Sequence, residues 1–161
     1  MAGAEGLPVG ARPDPSNRTQ MDLSDHIHWQ IRRLCDEGNV LLDRGDAEAS
    51  LECFTQALRL LPAPAVQWEA YGWIFTAIGD ALFSLKRYVE AIQAFCSAAA
   101  GDPTPNPFIQ LRLGQSYLEA GQPDAAKKAL LSAYSAGGLD VFAGDNPQYL
   151  DHIRADLPNR N

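Results

Sequence analysis

Apolar residues recur at intervals of three and four along several stretches of the chain, the spacing of one buried helix face. Ile27, Ile31 and Leu34 form one such stripe, Trp68, Tyr71, Phe75, Ile78 and Leu82 a second, and Tyr149, Leu150, Ile153 and Leu157 a third. Between the first and last of these, three segments superpose on their glycines, Gly38, Gly79 and Gly114, at separations of 41 and 35 residues. Each glycine is followed by an apolar residue three on (Leu41, Leu82, Tyr117), a small residue twelve on (Ser50, Ala91, Ala126), a large apolar residue sixteen on (Phe54, Phe95, Leu130) and an alanine nineteen on (Ala57, Ala98, Ala133). Small residues are needed where two helices approach closely, and the bulky residue between them fills the space they leave. The pattern predicts a helix pair repeated three times.

Turn chemistry punctuates the pattern. Gly45 and Gly121 stand where a left-handed residue ends a helix, and Pro62 and Pro103 close two of the pairs. Ser24 is placed to cap the first helix ahead of Ile27. The longer first separation reflects seven inserted residues, Ala65 to Tyr71, whose stripe predicts that the second unit's first helix is prolonged by about two turns. After Gly137 and Gly138, Asn146 with Pro147 is a helix start signal, and the stripe beyond it predicts a capping helix over about 147–157 that covers the last pair. Residues 1–20 carry six glycines and prolines among few large apolar residues, and are expected to be a disordered tail; Met21 is a candidate natural start. The expected organisation is therefore a tail at 1–20, repeats over 21–138 (about 31–64, 72–105 and 107–138, with the insert at 65–71), and a C-terminal segment at 139–161.

On these residues the chain resembles the tetratricopeptide repeat (TPR) family. The middle unit carries a suitable residue at all eight signature positions: Phe75, Ile78, Gly79, Leu82, Ala91, Phe95, Ala98 and Pro103. The first unit departs at Glu37, where an apolar residue is usual, and the third at Gln110 and Gly138. The resemblance implies an all-α fold, three helix-turn-helix repeats in a short right-handed solenoid whose concave groove is lined by the first helix of each pair. It places in that groove Arg32, Asn39, Leu42 and Asp43, then Trp73, Thr76, Asp80, Phe83 and Ser84, then Phe108, Arg112, Gln115 and Glu119. Trp73, Phe83 and Phe108 are read either as binding hot spots or as residues that are core of the extended helix or covered by the C-terminal segment. The carboxylate clamp of some TPR co-chaperones matches only at Asn39 and Arg112; Cys35, Ala77 and Phe108 replace its other members, which argues against carboxylate capture.

Composition narrows the partner. With 13 Lys and Arg against 20 Asp and Glu the net charge is −7, which disfavours nucleic acid and anionic membrane surfaces and favours basic partners. No apolar run is long enough to span a bilayer, and three scattered cysteines suggest neither a disulfide framework nor zinc, so a cytoplasmic location is expected. His26 and His28, two apart on a helix, point to different faces and read as surface, as does His152. Cys35, Cys53 and Cys96 read as small fillers of helical patterns, and Asp43, Asp46 and Glu48 as caps and solvated charge around a turn. No nucleophile, phosphate-binding or metalloprotease motif is present, so a non-enzyme without metal or cofactor is expected.

Three phrases, WIFTAIGDALF, NPFIQLRLGQSYLEAG and LLSAYSAGG followed by Phe142 and Tyr149-Leu150, are similar to small bacterial TPR proteins that act as immunity proteins in polymorphic toxin systems. This resemblance implies a non-catalytic binder that neutralises a toxin or effector, an antitoxin whose partner is a basic domain. The competing expectation is an adaptor or chaperone for a secretion or other multi-protein assembly. A homodimer through the long middle helix stays open at this point.

Overall fold

The computed structural model describes residues 23–100, 102 and 104–158, so the tail at 1–20, Met21 and Pro103 lie outside the described residues. Seven α-helices follow in order: α1 (Asp25–Asp43), α2 (Ala47–Arg59), α3 (Glu69–Ser84), α4 (Tyr88–Ala99), α5 (Pro107–Glu119), α6 (Pro123–Gly137) and α7 (Pro147–Ile153). The first six form three antiparallel pairs stacked side by side, each pair touching the next through α2 with α3 and α4 with α5. There is no strand among the described residues.

Each helix begins or ends for a local reason. Ser24 accepts from the Ile27 amide at 3.4 Å, Asp46 from Ala49 at 3.2 Å, and Asn146 from Gln148 at 3.1 Å. Asn106, with Pro107 behind it, accepts from Phe108 and Ile109, the same Asn-Pro start that opens α7. Such caps satisfy amides that the helix itself leaves unpaired. The hairpin turns within the pairs reverse through one left-handed residue, Gly45 (φ 86°), Lys86 (φ 59°) and Gly121 (φ 74°), each seven residues after the anchoring glycine of its unit.

The spacing of sixteen has a direct structural cause. A Cβ built on Gly38 would lie 2.6 Å from the Phe54 ring, one on Gly79 2.6 Å from the Phe95 ring, and one on Gly114 2.5 Å from the Leu130 side chain. The bulky residue of the second helix therefore sits against bare backbone of the first, with Phe54, Phe95 and Leu130 fully buried. Ile31, Ile74 and Ile109 continue this core from pair to pair. Glu37, the position that departs from the family pattern, is exposed, whereas its counterparts Ile78 and Leu113 are buried. The reason is position in the stack: no described helix pair precedes α1 to cover that face.

A smaller cluster closes the other end. Phe142, Tyr149 and Ile153 pack on Leu111, Leu130 and Ala133, so α7 and the 3-10 turn before it (Leu139–Phe142) cover the last pair. Arg154–Asp156 continues α7 as a 3-10 turn. The Tyr149 hydroxyl donates to Glu119 Oε1 at 2.8 Å, and burial together with this bond pushes the phenol up to about 12.

The insert corrects one expectation. Only Glu69, Ala70 and Tyr71 join α3; Ala65–Gln67 form a separate 3-10 turn and Trp68 is extended, so the two predicted extra turns shrink to less than one. The Trp68 indole Nε1 donates to the Pro62 carbonyl at 2.8 Å, folding the insert back on the end of α2. The apolar stripe continues through Trp68 and Tyr71 because both pack against the core, Trp68 from the bent segment and Tyr71 from the first turn of α3. Among the described residues no helix is long and apolar enough to cross a membrane.

Candidate binding groove

Residues on the inner faces of α1, α3 and α5 line three adjoining recesses. Between α1 and α3 lies one of about 380 Å³, with Arg32, Cys35, Asp36, Asn39, Glu69 and Trp73 among its walls. A second, of about 390 Å³, extends toward α5, bounded by Asn39, Leu42, Ala77, Asp80, Phe108 and Ile109. A third, of about 410 Å³, lies toward the insert and the α4–α5 link. Trp73 is a wall of all three.

Trp73 is 37% exposed and Phe108 49%, although both are large apolar residues. Isolated exposed apolar residues are ordinary, but two aromatics bordering one recess with polar neighbours form the kind of surface that anchors a partner. Thr76, which lines two of the recesses, is half-buried and its hydroxyl is committed to the Gly72 carbonyl at 2.9 Å. Arg32, Asn39, Asp43 and Ser84 are exposed, Asp43 and Ser84 at the far ends of α1 and α3.

The remaining expected groove residues serve the structure itself. Arg112 donates from Nε to Asp80 Oδ1 at 2.7 Å and from a terminal nitrogen to Gln115 Oε1 at 2.7 Å. Its guanidinium lies 4.5 Å from the centre of the Phe83 ring, which also meets Tyr88 edge-on, so Phe83 is covered rather than offered to a ligand. Gln115 is 1% exposed, too deep to meet a partner, and its Nε2 has no protein partner. Glu119, although exposed, is held by Tyr149 and by Gln148 Nε2 at 3.0 Å. Burial raises the Asp80 carboxyl above its usual range, and the neighbouring Arg112 only partly offsets this. The pair bridges the second and third helix pairs, which sequence spacing could not reveal because its members lie 32 residues apart. It also leaves Arg112 already matched to a carboxylate, in keeping with the reading that no carboxylate clamp operates here.

Glu69, Asp36, Asn106 and the insert residue Val66 line the recesses but were not singled out by sequence, and Trp68, which also lines one, was read only as part of an apolar stripe. For Val66, Trp68 and Glu69 the signal that could have found them is the 41-residue step between Gly38 and Gly79; nothing comparable marks Asp36 or Asn106. Cys35, buried at the wall of the first recess, has a thiol pushed up to about 11, mainly by burial, and is no nucleophile at neutral pH. His26 and His28 are exposed, and the His152 ring nitrogen Nε2 meets the Pro123 carbonyl at 2.9 Å. Among the described residues no group of three or more His, Cys, Asp or Glu side chains could hold a metal ion.

Two tetratricopeptide repeat family models match the chain, one over residues 35–107 and one over residues 82–135, together running from within α1 to within α6. The chain belongs to the tetratricopeptide repeat family. A curated relative, an NFX1-type zinc finger-containing protein 1 homolog from Caenorhabditis elegans, is 27% identical over 107 residues, covering 60% of this chain and 4% of that far longer protein. Among solved structures the first TPR domain of the human RPAP3 protein is similar, with a TM-score of 0.59 and 18% identity over 78% of this chain and 88% of that one. TPR repeats are scaffolds for binding other proteins, so the chain is a protein-interaction module.

Proposed function

We propose that this TPR module docks a segment of a protein partner in the concave groove, with Trp73 and Phe108 as its anchors and Arg32, Asn39, Asp43 and Thr76 as polar surroundings. One observation carries the reading: a partly exposed indole that walls all three recesses. Asp80, Arg112, Gln115, Phe83 and Glu119 support the groove by setting the junctions behind it. The net charge of −7 favours a basic partner and raises its association rate. All three thiols are free, which suits an encounter in the reducing cytoplasm.

The finer reading is that the partner is a toxin or effector domain and that docking neutralises it. It is supported by the similarity of WIFTAIGDALF and NPFIQLRLGQSYLEAG to immunity proteins and by the acidic charge. The adaptor reading is favoured by the size of the recesses, about 380 to 410 Å³ each, room for a residue or two of a short extended segment rather than for a whole domain. Affinity and interface separate them: an inhibitor of a lethal enzyme needs nanomolar binding over a large interface, an adaptor micromolar binding of a peptide.

Affinity purification of the tagged chain, followed by calorimetry with the recovered partner, tests both. Trp73→Ala and Phe108→Ala should each weaken binding by about thirtyfold while lowering the melting temperature by no more than about 4 °C. Full affinity in both variants would remove the groove from consideration.

A further inference from the structure

The insert at residues 65–71 builds one of the three recesses. Its 3-10 turn, Ala65–Gln67, is tied back through Trp68 to the Pro62 carbonyl, and Val66, Gln67 and Trp68 face Gly72 and Trp73 of α3 across a space of about 410 Å³. The acidic residues around this space are Glu69 and Asp102, and no Lys, Arg or His lines it. Among the described residues neither carboxylate has a basic side chain within ion-pair distance. Asp102 Oδ1 accepts from the Thr104 amide at 3.0 Å and hydroxyl at 3.2 Å, which orients the group and leaves its charge in place.

The neighbouring recesses differ. The one against α1 has His28 and Arg32 among its walls as well as Asp36 and Glu69, and the one against α5 presents Leu42, Ala77, Phe108 and Ile109, its acidic wall Asp80 being paired with Arg112. Trp73 therefore separates an acidic, aromatic-walled space from a mainly apolar one. A concave surface with charge of one sign concentrates its field on an incoming counter-charge, and tryptophan is the ring that most favours a cation on its face.

We propose that the insert recess receives a Lys or Arg side chain from the docked segment, between Glu69, Asp102 and the Trp73 indole, while an apolar side chain of the same segment enters beside Phe108. The groove then reads a two-part motif, one basic and one apolar residue straddling Trp73. The apolar half rests on the docking reading above; the basic half rests on the insert alone.

Phage-displayed random short peptides panned against the full chain, with the winners synthesised and titrated, test the motif. Enriched peptides should pair an apolar residue with a Lys or Arg at a constant separation. Glu69→Gln combined with Asp102→Asn should weaken their binding by about tenfold or more at low salt and remove most of its salt dependence. Both side chains are exposed, so the double variant keeps its fold, which circular dichroism checks. Apolar peptides enriched without a basic residue, or binding unchanged in the double variant, would overturn the cation recess and leave the docking groove standing. Peptides that bind Trp73→Ala and Phe108→Ala as well as the unaltered chain would overturn the groove itself, and failure to enrich any peptide counts against both.

Discussion

The same substitution at two places on α3 should change stability in opposite directions. Gly72 and Gly79 are both helical, so alanine at either gains about 0.8 to 1 kcal/mol of helix propensity over glycine. At Gly72 the new methyl meets only the Ala98 carbonyl oxygen, 3.6 Å away, an ordinary contact, and most of the gain is kept. At Gly79 it falls 2.6 Å from both Cε1 and Cζ of Phe95 and 2.8 Å from Cδ1. Carbon atoms settle about 3.5 to 4.0 Å apart, so ring or helix must retreat by about 1 Å. Phe95 is fully buried in a close-packed core with nowhere to retreat, and overpacking of this kind costs about 1 to 3 kcal/mol. Contacts this short onto a rigid ring put the cost toward the upper end, which leaves Gly79→Ala destabilised by about 1 to 2 kcal/mol net. Gly72→Ala should be stabilised by about 0.5 to 1 kcal/mol. Urea unfolding followed by circular dichroism reads the difference: with a slope of about 2 kcal/mol per molar, the two midpoints should separate by about 1 M. Midpoints that move the same way would refute the argument, because they would mean that Phe95 relaxes and that the close approach of α3 and α4 does not require a glycine.

Three further outcomes follow from the same packing. Ser50 is fully buried with an unpartnered hydroxyl where the other repeats carry Ala91 and Ala126, so Ser50→Ala should raise the urea midpoint, by about 1 kcal/mol of stability; a loss would reveal a hydrogen bond that the hydroxyl makes. Lys86 holds the left-handed position occupied by Gly45 and Gly121 in the other hairpins, and Lys86→Gly should stabilise by about 0.5 to 1 kcal/mol in the same assay, with no gain showing that the backbone there is unstrained. Because burial makes folded Asp80 hold its proton more tightly than the unfolded chain does, its contribution to stability is greatest at low pH and falls as pH rises through the carboxylate range. Urea midpoints of the protein and of Asp80→Asn across that range should therefore show the protein losing ground to the variant with rising pH; the opposite slope would mean that Arg112 outweighs burial.

Much of the fold can be read from the chain because its determinants are local. The step from Gly38 to Phe54, repeated at Gly79 to Phe95 and Gly114 to Leu130, encodes a helix of set length, a turn and a matched contact between neighbours, all within one unit. The Asn146-Pro147 start and the Tyr149 and Ile153 stripe of α7 are equally local. The groove positions were less legible. The family resemblance placed Phe83, Arg112 and Gln115 on the inner faces of α3 and α5, and it could not say that the guanidinium would fold over the ring and take Asp80 and Gln115 as partners.

What the sequence determined by itself is the repeat: three helix pairs, their close-packed seams and the cap, since each depends on residues within about one unit of one another. Tertiary structure alone decided which inner-face residues stay open, because exposure depends on what the next pair lays against them. It also decided the course of the insert, where the reach of Trp68 to the Pro62 carbonyl prevailed over a stripe that fitted a longer helix. The acidic recess beside Trp73 follows from that bend, and no single stretch of the chain contains all of its walls.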